Sequence, residues 1–112
     1  MEHTINTKFF HFSQNNSGGY WDDDHSVGIG RHVIIEAVDE DDAISRAEKI
    51  GLYFDGSGDC PCCGNRWSSY IEGEEYPEVY GEKMVHCEEV TDIFIHNFDG
   101  SFSFAKKYVE EV

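Results

Sequence analysis

A chain of 112 residues falls in the ordinary size range of one domain. Hydrophobic residues at 39% and aromatics at 14% exclude a disordered acidic tail. The 23 Asp and Glu against 8 Lys and Arg leave a net charge of −15, which argues against direct binding to nucleic acid or an anionic membrane, since both need clustered cations.

In chain order, the Phe-rich run Lys8 to Phe12 predicts a first strand. Ser13 to Arg31 is long, polar and glycine-containing, and predicts a loop of a length that in compact domains is functional or disordered. His32 to Val38, rich in Val and Ile, predicts a second strand. Glu40 to Ile50 predicts a helix. Asp39 is placed to cap it, and Glu40, Asp41 and Asp42 favour the positive end of its first turn. Ala43, Ile44, Ala47 and Ile50 share one face, Arg46 and Lys49 occupy the last turn, and Gly51 follows as the left-handed terminator. Phe54 to Tyr80 predicts an irregular excursion that something other than secondary structure must hold. Asp92 to Phe98 and Ser101 to Lys107 predict a hairpin, with Asp99-Gly100 in a two-residue type I′ turn. Both faces of that hairpin carry apolar groups, so it should be central or covered on both sides. The expected fold is α+β: a mainly antiparallel four- or five-stranded sheet, one packed helix and a zinc-knuckle-like loop insertion, all in a single domain over 1–112. No apolar run approaches membrane-spanning length and Met1-Glu2-His3-Thr4 opens no export signal, so the expected location is the cytoplasm.

The excursion contains Asp59-Cys60-Pro61-Cys62-Cys63-Gly64-Asn65-Arg66-Trp67. Cys60 and Cys63 have the C-x-x-C-Gly spacing of a zinc knuckle, in which two thiolates reach one tetrahedral metal. A second C-x-x-C is missing, so the other ligands must come from elsewhere. Cys87 and His86 are the leading candidates, and Cys62 is able to replace a neighbour. Adjacent residues on a strand point apart, so only one of His86 and Cys87 is expected to bind. The alternatives are reduced cysteines filling core space, a C-P-x-C redox site, and disulfides. The metal expected is structural zinc, because nothing local supplies a general base.

Phe10-His11-Phe12-Ser13-Gln14-Asn15-Asn16-Ser17-Gly18-Gly19, Tyr53-Phe54-Asp55-Gly56 and the cysteine segment together resemble a group of small, uncharacterised proteins of tailed bacteriophages. The similarity runs from about Phe9 to Phe104. It implies a phage-encoded protein acting in the host bacterial cytoplasm, and it implies no activity.

Acid is unevenly distributed. Glu72, Glu74, Glu75, Glu78, Glu82, Glu88, Glu89 and Asp92 stand against Lys83 alone, a second group is Glu36 with Asp39, Glu40, Asp41 and Asp42, and a third is Asp22-Asp23-Asp24. Such density costs stability through self-repulsion, which is tolerated most easily where something uses the field. The first expectation is non-enzymatic binding of a host protein with a basic surface, as a counter-defence factor or nucleic-acid mimic, with Tyr20, Trp21, Trp67 or Tyr80 as aromatic anchors. Plain solvation of an acidic surface is the competing explanation. The alternative function uses the 13–25 loop. There Gln14, Asn15, Asn16 and Ser17 would hold a small ligand, or Asp22, Asp23, Asp24 and His25 a divalent metal for hydrolysis. His11 and His96 lie in apolar strands and are expected to be hydrogen-bonded sheet residues.

Overall fold

The first two predicted strands carry consecutive apolar residues, Phe9-Phe10 and Val33-Ile34-Ile35, whose side chains go to opposite faces, so the sheet has a separate core on each side. The structure, a computed structural model, describes residues 6–14, 23–52 and 67–108, with 68–72 described by backbone alone. Within these the chain forms β1 (Lys8–Gln14), a 3₁₀ turn (His25–Val27), β2 (His32–Ala37), α1 (Glu40–Ile50), β3 (Trp67–Glu74), β4 (Glu78–Val79), β5 (Glu82–Cys87), β6 (Ile93–His96) and β7 (Phe102–Lys107). The strands lie in the order β3-β1-β2-β6-β7-β5-β4, with β2 and β6 parallel and the remaining neighbours antiparallel.

This overturns the expected four- or five-stranded, mainly antiparallel sheet. The observed sheet is mixed, has seven strands among the described residues, and curls toward a barrel so that β4 approaches β1. The added strands, β3 to β5, carry Gly73 and the acids Glu72, Glu74, Glu78 and Glu82, and so lack an alternating apolar pattern. Their pairing rests on backbone ladders and on a few inward residues such as Val79 and Met84. The second half of the supposed irregular excursion is therefore strand. Residues 53–66, with the proposed knuckle, lie outside the described residues.

On one face, Phe10, Phe12, Val33, Ile35 and Ala37 pack with Ala43, Ala47, Leu52 and Trp67. Inside the curl, Ile34, Ile95, Met84, Val79 and Ala105 form a second core, bordered by Phe9 and Ile93. Each fully buried Val or Ile contributes about 1.5–3 kcal/mol. The helix begins and ends as its sequence dictates: the Asp39 carboxylate accepts from Asp42 N–H at 2.8 Å, and Gly51 at φ 123° donates to Ala47 and Glu48. Arg46 joins this helix to the β6–β7 loop. Its Nε lies 3.1 Å from Asp42, its Nη1 donates to the Phe98 carbonyl at 2.9 Å, and its guanidinium sits 4.3 Å above the Phe98 ring.

The terminal hairpin differs from the two-residue I′ expectation. Asn97 N–H bonds to Ser101 and Gly100 N–H to Asn97, so three residues span the turn, with Gly100 at φ 94° and Asp99 outside the left-handed region. Asp99 instead accepts from the Ser101 backbone N–H at 2.9 Å, a local bond that favours the longer loop. β6 is central, between β2 and β7, in line with its apolar residues on both faces. Among the described residues no helix is long and apolar enough to cross a membrane.

Candidate functional site

The acid of residues 72–92 is carried by the end of β3, the β4–β5 hairpin and the loop before β6. Glu74, Glu75, Glu82, Glu88, Glu89 and Asp92 are exposed and Glu78 is half-buried, while Glu72 falls within β3. Three of these carboxylates meet cations: Glu89 with Lys106 and Glu82 with Lys107, each at 3.1 Å, and Asp92 with Arg31 at 3.8 Å. All are exposed pairs in which solvent screening leaves little net attraction. Among the described residues no ion pair forms at Glu74, Glu75, Glu78 or Glu88.

Aromatic rings are interleaved with this acid. Tyr76 is 53% exposed, and Tyr80, in the β4–β5 turn at φ 52°, is 68% exposed. β4 approaches β1 without pairing to it, and a groove of about 490 Å³ is walled by Phe9, Tyr76, Pro77, Met84 and Tyr108. Lys83, His86 and Asn97 supply its polar groups. The Lys83 ammonium rests 4.3 Å above the Tyr76 ring. His86 hydrogen-bonds Ser103 through Nδ1 and lies 3.2 Å from Asn97 Oδ1 through Nε2.

A second cluster lies where β1 ends and β2 begins. His11 Nε2 and His32 Nδ1 are 2.9 Å apart, the Tyr80 ring meets both imidazoles edge-on, and the Ser13 and Tyr80 hydroxyls are 3.5 Å apart. Burial, reinforced by His32, pushes the His11 pKa down to about 4. Burial also lowers that of His32, with Asp92 opposing and Arg31 reinforcing the effect. Both rings are thus neutral at pH 7, and one donates to the other. His96 is lowered by burial too, partly offset by its 2.7 Å bond to the Gly28 carbonyl. His11 and His96 are hydrogen-bonded sheet residues, as their strand setting suggested.

Other expected site residues are dispersed. Gln14 is buried, and its amide donates to Asp23 at 3.0 Å and to the Gly30 carbonyl at 3.2 Å. Asp24 caps the 3₁₀ turn by accepting from Ser26, and the His25 ring packs on Phe94 and Phe104. These three neighbours serve three different partners. Asn15, Asn16, Ser17, Tyr20, Trp21 and Asp22 lie outside the described residues, as do Cys60, Cys62 and Cys63. Trp67, expected as an exposed anchor, is only 2% exposed because β3 turns it into the helix-side core. On α1, Asp39 and Asp42 are engaged with backbone N–H groups of Asp42 and Val38, while Glu40 and Asp41 face solvent. The Val38 N–H and Arg46 hold the Asp42 carboxyl below its usual range.

Cys87 is half-buried, and its thiol donates to the Glu89 carbonyl at 3.5 Å. Register sets His86 opposite Ala105 and Cys87 opposite Phe104, so the two side chains take opposite faces of β5. Among the described residues no three His, Cys, Asp or Glu converge as a metal site. Sequence reasoning missed His32 as the partner of His11, and it missed Phe9, Tyr76 and Tyr108 as groove walls. The alternation Glu74-Glu75-Tyr76-Pro77-Glu78-Val79-Tyr80 was the available signal for a surface that mixes acid with rings.

A family model described as a domain of unknown function, DUF7296, matches residues 7–110. No curated protein and no solved structure matches the chain.

Proposed function

The chain belongs to the DUF7296 family, and on that premise we propose that it is a non-enzymatic binding protein whose acidic β4–β5 face engages a basic surface on another protein. The observation that carries this reading is the combination of Glu74, Glu75, Glu78 and Glu88, which have no ion pair among the described residues, with exposed Tyr76 and Tyr80 on the same stretch of chain. Carboxylates steer a basic partner into encounter, and rings supply the contact energy that surface charge lacks. The resemblance to phage proteins adds the setting: a phage product in the host bacterial cytoplasm that inhibits a defence or nucleic-acid-processing protein. The rival, a ligand-binding protein or metal-dependent hydrolase using the 13–25 loop, is disfavoured because Asp23, Asp24 and His25 are committed to separate partners.

Structural zinc at Cys60 and Cys63, completed from Cys62, Cys87 and His86, belongs to the same proposal. The half-buried Cys87 thiol suits it better than His86, whose two nitrogens are engaged. Elemental analysis tests this part: zinc near one equivalent, lost in Cys60→Ser, supports it, and metal-free native protein contradicts it.

The binding reading is tested by capture from bacterial lysate with the wild type and with the combined Glu74→Gln, Glu75→Gln, Glu78→Gln, Glu88→Gln variant. Among the described residues these positions carry no ion pair, so the variant should fold normally. A basic protein retained by the wild type and lost by the variant is the expected result. Identical captures would overturn the reading.

A further inference from the structure

We propose that the groove between β1 and the β4–β5 hairpin is an anchor pocket for an extended basic segment, taking one Trp side chain while flanking Lys or Arg residues lie against the acidic rim. This rests on the acidic-face reading above and adds what that reading lacks, a point of register.

Three observations carry it. The walls are those that hold a ring: Phe9, Tyr76 and Tyr108 offer aromatic faces and edges, and Met84 a polarisable thioether. The volume, about 490 Å³, is within the range of clefts that hold small molecules and leaves room for an indole. At the polar end, Asn97 Oδ1 accepts from His86 if Nε2 carries the proton, and a carbonyl oxygen keeps a second lone pair for an indole N–H.

The rim then selects the flanks. Glu74 and Glu75 directly precede Tyr76, Glu78 directly follows Pro77, and Glu82 directly precedes Lys83. Four carboxylates are therefore carried within two residues of the groove's walls, and one of them, Glu82, is already paired with Lys107. Against these four carboxylates the hairpin carries one cation, Lys83, which rests on the Tyr76 ring, so residues 74–83 are net negative. A small neutral aromatic would use the walls and ignore this charge, whereas a segment with cations on both sides of its ring uses both.

The test compares short peptides with Lys and Arg on both sides of a central Trp, the same peptide with Ser for Trp, and the Trp peptide with acidic flanks. Affinity is read by fluorescence anisotropy and location by amide chemical shifts. The basic Trp peptide should bind about tenfold or more tightly than the Ser peptide, with shifts centred on Tyr76, Met84 and Tyr108. The acidic Trp peptide should not bind. Tyr76→Ser should erase the Trp advantage, and because Tyr76 is largely exposed the variant should retain its thermal transition. Equal affinity for the basic Trp and Ser peptides, or shifts elsewhere, would overturn the pocket while leaving the acidic face in place. Binding of the acidic Trp peptide as tightly as the basic one would overturn the rim's role.

Discussion

His11 is buried at 8% exposure in β1, and its ring contacts another imidazole at 2.9 Å. An unfolded chain protonates this side chain near its ordinary 6.5, whereas the folded protein resists until about 4. The unfolded state therefore binds the extra proton in that interval. Stability should be unaffected by this group above about pH 6.5 and should fall by about 3 kcal/mol as the pH drops toward 4. His11→Gln should flatten the profile in that window. Urea unfolding at pH 7.5, 6 and 5 checks this, and parallel profiles for the two proteins would contradict it. A second residue-scale prediction concerns Gly28, at φ 76°, where an added Cβ would lie 2.6 Å from the His96 ring and 2.7 Å from the Phe102 ring. Gly28→Ala should cost about 1–3 kcal/mol, read as a lowered thermal midpoint.

Among the elements, α1 is the one in which local chemistry determines the outcome. Asp39 at its start and Gly51 at its end do what their residue types favour, and Asp39→Ala should cost about 1 kcal/mol of unfolding free energy through the lost bond to Asp42 N–H. An unchanged denaturation midpoint would contradict that cap. β1, β2, β6 and β7 were legible for the same reason, because Phe, Val and Ile concentrate in them. β3, β4 and β5 were not. Their acids and Gly73 interrupt the apolar pattern around the inward residues Trp67, Val79 and Met84, and their order in the sheet is set by long-range pairing with β1 and β7. The β6–β7 turn was legible in place but not in type, since Asp99 binding Ser101 decides between two and three loop residues. The site divides similarly. The acid string was visible in sequence, while the groove is assembled from Phe9 in β1, the hairpin, and Tyr108 just past β7, and no local pattern announces that meeting.

For the whole molecule, a net charge of −15 is the dominant physical fact. Exposed pairs such as Lys106–Glu89 and Lys107–Glu82 relieve little of it. Self-repulsion on this scale should make the fold more stable as salt rises, because added ions screen like charges. Association with a basic partner should weaken over the same range. The two trends have opposite signs, so a loss of binding at moderate salt cannot be ascribed to unfolding when the thermal midpoint is rising. The combined Gln variant at Glu74, Glu75, Glu78 and Glu88 should show a smaller salt dependence in both measurements.

The most direct measurement is the association rate constant with the captured basic partner, followed by stopped-flow from low to physiological ionic strength. Charge steering predicts a fall of about tenfold or more in the association rate with little change in dissociation, and a shallower dependence for the Gln variant. An association rate indifferent to salt, and identical in wild type and variant, would contradict a steering role for the acidic β4–β5 face.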